Sequence, residues 1–164
     1  MKTIAFVMAV VLGTCPAFWT QEPADPLEEL VARVEAAEPG DTEAAEALMD
    51  WAADKGTPYA YEMSDRWPSD LEVFQGVWYD GEMQELLIIS GDACRVVIPW
   101  LGYYGETAYA VRLRDRSDAG FCPALEVDVR ESGIFFAPLT YYVSGVDETH
   151  FWSNTQAQRF EKIG

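Results

Sequence analysis

The stretch Gln75-Gly76-Val77-Trp78-Tyr79 opens a β-patterned run that continues to Gly164. Upstream of it apolar residues recur every three or four positions. From Leu71 onward they alternate, punctuated by Gly and Asp. A 3.6-residue period belongs to helices and a 2-residue period to strands, so the chain changes character near residue 70. Residues 73–79 are expected as a first strand, ended by the Asp80-Gly81 turn.

Downstream, 86–89 and 94–100 form a hairpin about Gly91-Asp92. Thr107, Tyr109, Val111 and Leu113 alternate against Ala108, Ala110, Arg112 and Arg114, a half-buried strand with a basic wet face. Leu125, Val127 and Val129 alternate with Glu126, Asp128 and Arg130. A longer strand over 134–143 is interrupted by Pro138, which belongs at an edge or bulge. Residues 149–152 and 159–163 supply the last two strands. About eight strands at roughly 11-residue spacing define a mainly β fold, an antiparallel up-and-down barrel or a small sandwich; the barrel is the expected form.

Before the β region the punctuation is helical. Asp25 can cap, Pro26 takes the first helical position and Glu28 follows three residues after the cap. Leu27, Leu30, Val31 and Val34 share one face. Pro39-Gly40 separates this helix from a second, capped by Asp41 or Thr42 and faced by Ala45, Leu48, Met49 and Ala52, with Lys55 and Gly56 at its end. A third, shorter helix over 59–66 would bring Tyr59, Tyr61 and Trp67 over the sheet. Residues 18–66 carry 13 acidic and 3 basic side chains. Helices this short are marginal alone and need a surface to pack on.

Met1 to Ala17 has the form of a secretory signal: Lys2, the apolar run 4–12 and small residues before a cut after Ala17. The run is too short to span a bilayer, which takes roughly 20 residues. A lipid anchor at Cys15 is a second reading, opposed by Thr14 before the cysteine. The chain thus divides into a signal (1–17), an acidic helical segment (18–69) and a β-barrel domain (70–164), and is expected outside the cytoplasm, periplasmic or extracellular. With Cys15 removed, Cys94 and Cys122 remain, and in an exported chain a bridge between them is expected; two buried thiols are the alternative.

The 164 residues include 28 acidic and 11 basic ones, a net charge of −17. Such a chain repels phosphate backbones and anionic lipids, which excludes nucleic acid and membrane docking as expected partners. No metal or cofactor is implied. His150 is the single histidine, no Cys-x-x-Cys occurs, Asp80, Glu82 and Asp92 lack calcium-loop spacing, and no Gly-rich phosphate cradle is present. His150 lies near Asp147 and Ser144, but without a Gly-x-Ser-x-Gly turn these do not make a hydrolase. Glu126 and Asp128 read as wet-face charge beside Arg130 and not as a glycosidase pair.

Gly76-Val77-Trp78 on the first strand of an exported antiparallel meander resembles the calycin superfamily, which includes lipocalins and small periplasmic protease-inhibitor barrels. The resemblance covers about 90 residues, with Cys94 and Cys122 as further support. It implies that Gly76 and Trp78 are structural, the tryptophan plugging a closed barrel end. A Thr-Asp-Tyr loop motif and a Trp-Arg-Pro stretch, typical of those groups, are absent.

Trp100, Tyr103 and Tyr104, set among Gly102 and Gly105, read as an aromatic loop tip. Either the helices cover it or a partner does, because soluble proteins seldom expose such a cluster without a use. The expected function is a non-catalytic exported binding or inhibitory module of the bacterial cell envelope, with an exported or envelope protein as partner. The alternative is a lipocalin-like carrier of a small apolar ligand, which requires an open interior.

Overall fold

The structure, a computed structural model, describes residues 25–38, 41–56, 66–115, 122–129, 138–153 and 158–164, the Tyr109 side chain excepted. The expected signal at 1–17, the expected lead at 18–24, nearly all of the expected third helix and residues 134–137 of the expected Pro138 strand lie outside the described residues. Two helices, α1 (Pro26–Ala36) and α2 (Thr42–Lys55), precede eight strands: β1 (Gly76–Asp80), β2 (Glu85–Ser90), β3 (Ala93–Ile98), β4 (Tyr103–Arg114), β5 (Ala124–Val129), β6 (Leu139–Val146), β7 (His150–Ser153) and β8 (Gln158–Lys162). Each strand pairs antiparallel with its neighbour in sequence, and β8 returns to β1 through Trp78↔Lys162 and Tyr79↔Glu161. The expected mainly β up-and-down barrel is what forms, and it is closed.

Both helices start where the caps direct. The Asp25 carboxylate accepts from the Leu27 N–H at 3.0 Å and that of Asp41 from the Glu43 N–H at 3.1 Å, so Asp41, not Thr42, is the second cap. Their apolar faces do not close a barrel end. Leu27, Val34, Ala45, Leu48, Met49 and Ala52 lie against the outer faces of β1–β3 at Val77, Tyr79, Leu86, Ile88 and Val97. These strands are therefore buried on both sides, which explains the unbroken apolar run 86–89. Arg95 of β3 fastens the join, donating to the Glu35 carbonyl at the end of α1 (2.8 Å) and to the Gly105 carbonyl (2.9 Å). Gly105 has φ +105° and a Cβ there would meet Val34 Cγ1 at 3.0 Å, so only glycine lets α1 approach this closely.

Several boundaries differ from the sequence reading. Residues 72–74 form a 3-10 turn, and β1 begins only at Gly76. Tyr103 and Tyr104 belong to β4 and not to a loop; Gly105 is an extra residue opposite the Val96/Val97 step, a bulge in a continuous strand. A second bulge falls between Ala108 and Ala110. It flips the phase, so Ala108 faces the core while Thr107 is exposed, the reverse of the expected alternation there. Pro138 stands just before β6. Trp67 is exposed instead of covering the sheet, because the Arg66 carbonyl, bonded to Val146 N–H at 2.8 Å, and the buried Pro68 face the barrel.

The expected Cys94–Cys122 bridge is not formed: both are buried thiols. The register gives the reason. Cys94 stands opposite Ala108, and Ala108 opposite Val129. From Val129 back to Ala124, β5 already runs about 16 Å at ~3.3 Å per residue, with Cys122 further still. A bridge needs Cα atoms within about 7 Å.

Candidate functional site

The up-and-down course gives the barrel two ends. At one, the 3-10 turn places Phe74 beneath Trp78, whose indole N–H donates to the Phe74 carbonyl at 2.6 Å. Phe151 meets both rings edge-on, at 5.3 Å from Phe74 and 5.1 Å from Trp78, and stacks on Phe160 at 4.4 Å. Lys162 brings its ammonium 5.6 Å from the Trp78 ring, a cation–π contact. Gly76 permits this: its φ is +117°, and a Cβ would strike Lys162 Cε at 2.7 Å. Gly76 and Trp78 thus occupy a plugged end.

The other end is polar inside. Counting by twos along the strands from Trp78 and Leu87, both inward, brings Asp80 and Glu85 inward too, and the two are register partners. Asp80 caps the β1–β2 turn: one oxygen accepts from the Glu82 and Met83 N–H groups (2.9 and 3.2 Å), the other from Arg159 N–H (3.2 Å). Glu85 Oε2 accepts from Gln158 Nε2 at 2.6 Å and from the Tyr141 hydroxyl at 3.3 Å. Burial, opposed by these donors and reinforced by the Asp80 charge, pushes the Glu85 carboxyl up to about 7. Burial, with the Glu85 charge, raises the Tyr141 hydroxyl well above its usual range.

This rim also carries the aromatic residues of the sequence reading, and it separates them. Adjacent strand positions point to opposite faces, so Tyr103 enters the barrel interior while Tyr104 turns outward against the helix-covered cluster. Trp100 sits in the 3-10 turn Pro99–Leu101 between β3 and β4, where Trp100 is 51 % exposed and Leu101 40 %. The tip is therefore Trp100 with Leu101, a residue the alternation did not single out. Beside it lies a groove of about 210 Å³ lined by Ala45, Glu46, Met49, Asp50, Gln84, Val97, Pro99 and Tyr104.

The remaining candidates have local roles. Asp147 Oδ1 accepts from the N–H groups of Thr149 and His150 (2.8 and 2.7 Å), capping the β6–β7 turn. His150 Nδ1 is 2.8 Å from Thr149 Oγ1, and the Ser144 hydroxyl donates to the Trp152 carbonyl at 3.3 Å. Glu126 lies on the outer face, since Leu125 and Val127 point inward, but it is covered there. It is buried between Arg112 and Arg114, 2.6 and 2.5 Å away. Burial alone would raise its pKa, but the two arginines outweigh that and hold it below the usual carboxylate range. Among the described residues no group of three or more His, Cys, Asp or Glu is placed to hold a metal, and no helix is long and apolar enough to cross a membrane.

Fold and site together define a class: a closed eight-stranded antiparallel barrel, plugged by aromatic rings at one end, polar inside at the other, with two helices on its wall. Compared with known proteins, the chain matches no family model, no curated protein and no solved structure.

Proposed function

We propose that this protein is a non-catalytic exported binding module of the cell envelope that engages a protein partner through the Trp100–Leu101 tip. The observation that carries the reading is the exposure of these two large apolar side chains on a short turn anchored by two strands. Aromatic side chains so placed bury much area at low entropic cost and serve as anchors in interfaces. A calycin-like relationship is supported by Gly76 and Trp78 at the plugged end, with the 3-10 turn before them. Export rests on the pattern of residues 1–17. The carrier reading finds less support, because Phe74, Trp78, Tyr103, Tyr141, Phe151 and Phe160 occupy the interior, and an eight-stranded barrel is only wide enough for its side chains or one small ligand.

The test is a photo-crosslinking residue in place of Trp100, with a control at Asp92, an exposed turn position at the plugged end. In the cells that make the protein, position 100 should give a discrete adduct that position 92 does not, and Leu101→Ser should weaken it. The same adducts from both positions, or none from position 100, would refute the reading.

A further inference from the structure

We propose that the groove between α2, the β1–β2 turn and the β3–β4 part of the wall docks a partner segment carrying one apolar side chain between basic residues. Its apolar strip comes from Met49, Pro99 and the flank of Tyr104; Ala45 and Val97 are buried behind it, and Glu46, Asp50 and Gln84 make the rest of the lining polar. Its volume of about 210 Å³ falls below the roughly 300 Å³ at which small-molecule pockets begin. A side chain fits it better than a whole metabolite does. The groove includes Pro99, the residue before Trp100 and Leu101, so its apolar strip adjoins the tip.

The charge of the occupant follows from the rim. Glu46 and Asp50 stand four residues apart on α2, hence side by side, and both are exposed. Among the described residues lining the groove there is no lysine or arginine. The wider field has the same sign: residues 25–56 hold ten acidic side chains against Arg33 and Lys55, and Arg33 already lies 3.7 Å from Glu43. An acidic or neutral segment would meet repulsion or gain nothing here. Lysine or arginine can lay its aliphatic stem on the apolar strip and its charge beside a rim carboxylate. The chain's own segments 18–24 and 57–65 contain acidic residues and no basic ones, so their charge opposes the rim.

This deepens the reading of the tip as a partner contact, and the two can fail separately. Titrate the purified chain with short synthetic peptides: a leucine between lysines, the same with glutamates, and the lysine peptide with alanine for leucine. Only the first should bind saturably, the others at least about tenfold more weakly, a difference of about 1.4 kcal/mol. Glu46→Lys with Asp50→Lys should cost the same factor. Glu28→Lys with Glu29→Lys, an equal charge change outside the groove, should leave affinity within about twofold. Amide shifts on binding should centre on Val97 and Tyr104.

Equal losses from both double reversals would reduce the effect to net charge and overturn the proposal. So would absence of binding by the lysine peptide at millimolar concentration, or nuclear Overhauser contacts from the Met49 methyl to the chain's own Tyr59 or Tyr61. Position-100 adducts that persist unchanged in Glu46→Lys/Asp50→Lys would remove the groove and keep the tip. Peptide binding without adducts would do the opposite.

Discussion

The two ends of this barrel are equally buried and differently built. At the plugged end Phe74, Trp78, Phe151 and Phe160 pack ring on ring, and the indole N–H meets a carbonyl at once. At the other end Asp80, Glu85, Tyr141 and Gln158 occupy equivalent inward positions, beneath a turn that shows Trp100 to solvent. Apolar rings stabilise by leaving water. A carboxyl in the same setting is costly when charged, because its hydrogen-bond donors replace hydration only in part. Stability is therefore concentrated at one end, and the other keeps polar groups that an apolar core would omit. The proposed Trp100–Leu101 contact lies at the polar end.

The plug should give the largest response. Trp78→Ala removes a fully buried indole and should lower unfolding free energy by about 3–5 kcal/mol, read by urea or thermal melts. A loss below about 1 kcal/mol would erase the contrast between the ends. The polar end should answer to pH. With the Glu85 carboxyl raised from 4.5 to about 7, the native state holds a proton that the unfolded state has released. Its contribution is full below the unfolded value and is lost as pH rises through about 7, up to about 3 kcal/mol. Glu85→Gln should flatten the stability profile between pH 5 and pH 8, and an unaltered slope would mean that Glu85 is not the titrating group.

Glu126 sharpens the point, being a buried carboxylate that does have cations. Its depressed pKa contributes stability above the ordinary carboxyl range, lost as pH falls through the lowered value, the opposite sign to Glu85. Arg112→Gln with Arg114→Gln should cost about 1–2 kcal/mol at neutral pH, modest because both arginines are partly solvated. An NMR titration should show the Glu126 pKa rising in that variant. The smallest effect belongs to the cysteines. Reducing agent should leave the melting temperature unchanged, and Cys94, whose thiol burial pushes up to about 12, should react with thiol reagents only after unfolding. A Cys94–Cys122 linked peptide in a digest would contradict the register.

Much of the architecture was legible in one dimension, since it rests on local rules. Asp25-Pro26 and Asp41 start helices through hydrogen bonds two residues away. Eight apolar-patterned segments pair in order because a strand's nearest partner along the chain is the one that costs least to close against. Even Asp80 and Glu85 can be placed inside by counting by twos from Trp78 and Leu87.

Other features had no local signature. A bulge such as Gly105 or the Ala108/Ala110 step shifts the phase of every residue after it, so alternation alone misassigns faces. The separation of Cys94 from Cys122 depends on how far β3, β4 and β5 slide past one another, a property of barrel closure. The unbroken run 86–89 announces that both faces of β2 are covered; that α1 and α2 are the cover is a tertiary fact. So is the fate of Trp100, Tyr103 and Tyr104, three neighbours sent to solvent, to the interior and to the helices. Periodicity specifies which residues can share a face, but which face meets water is settled only when the wall closes and the helices take their place on it.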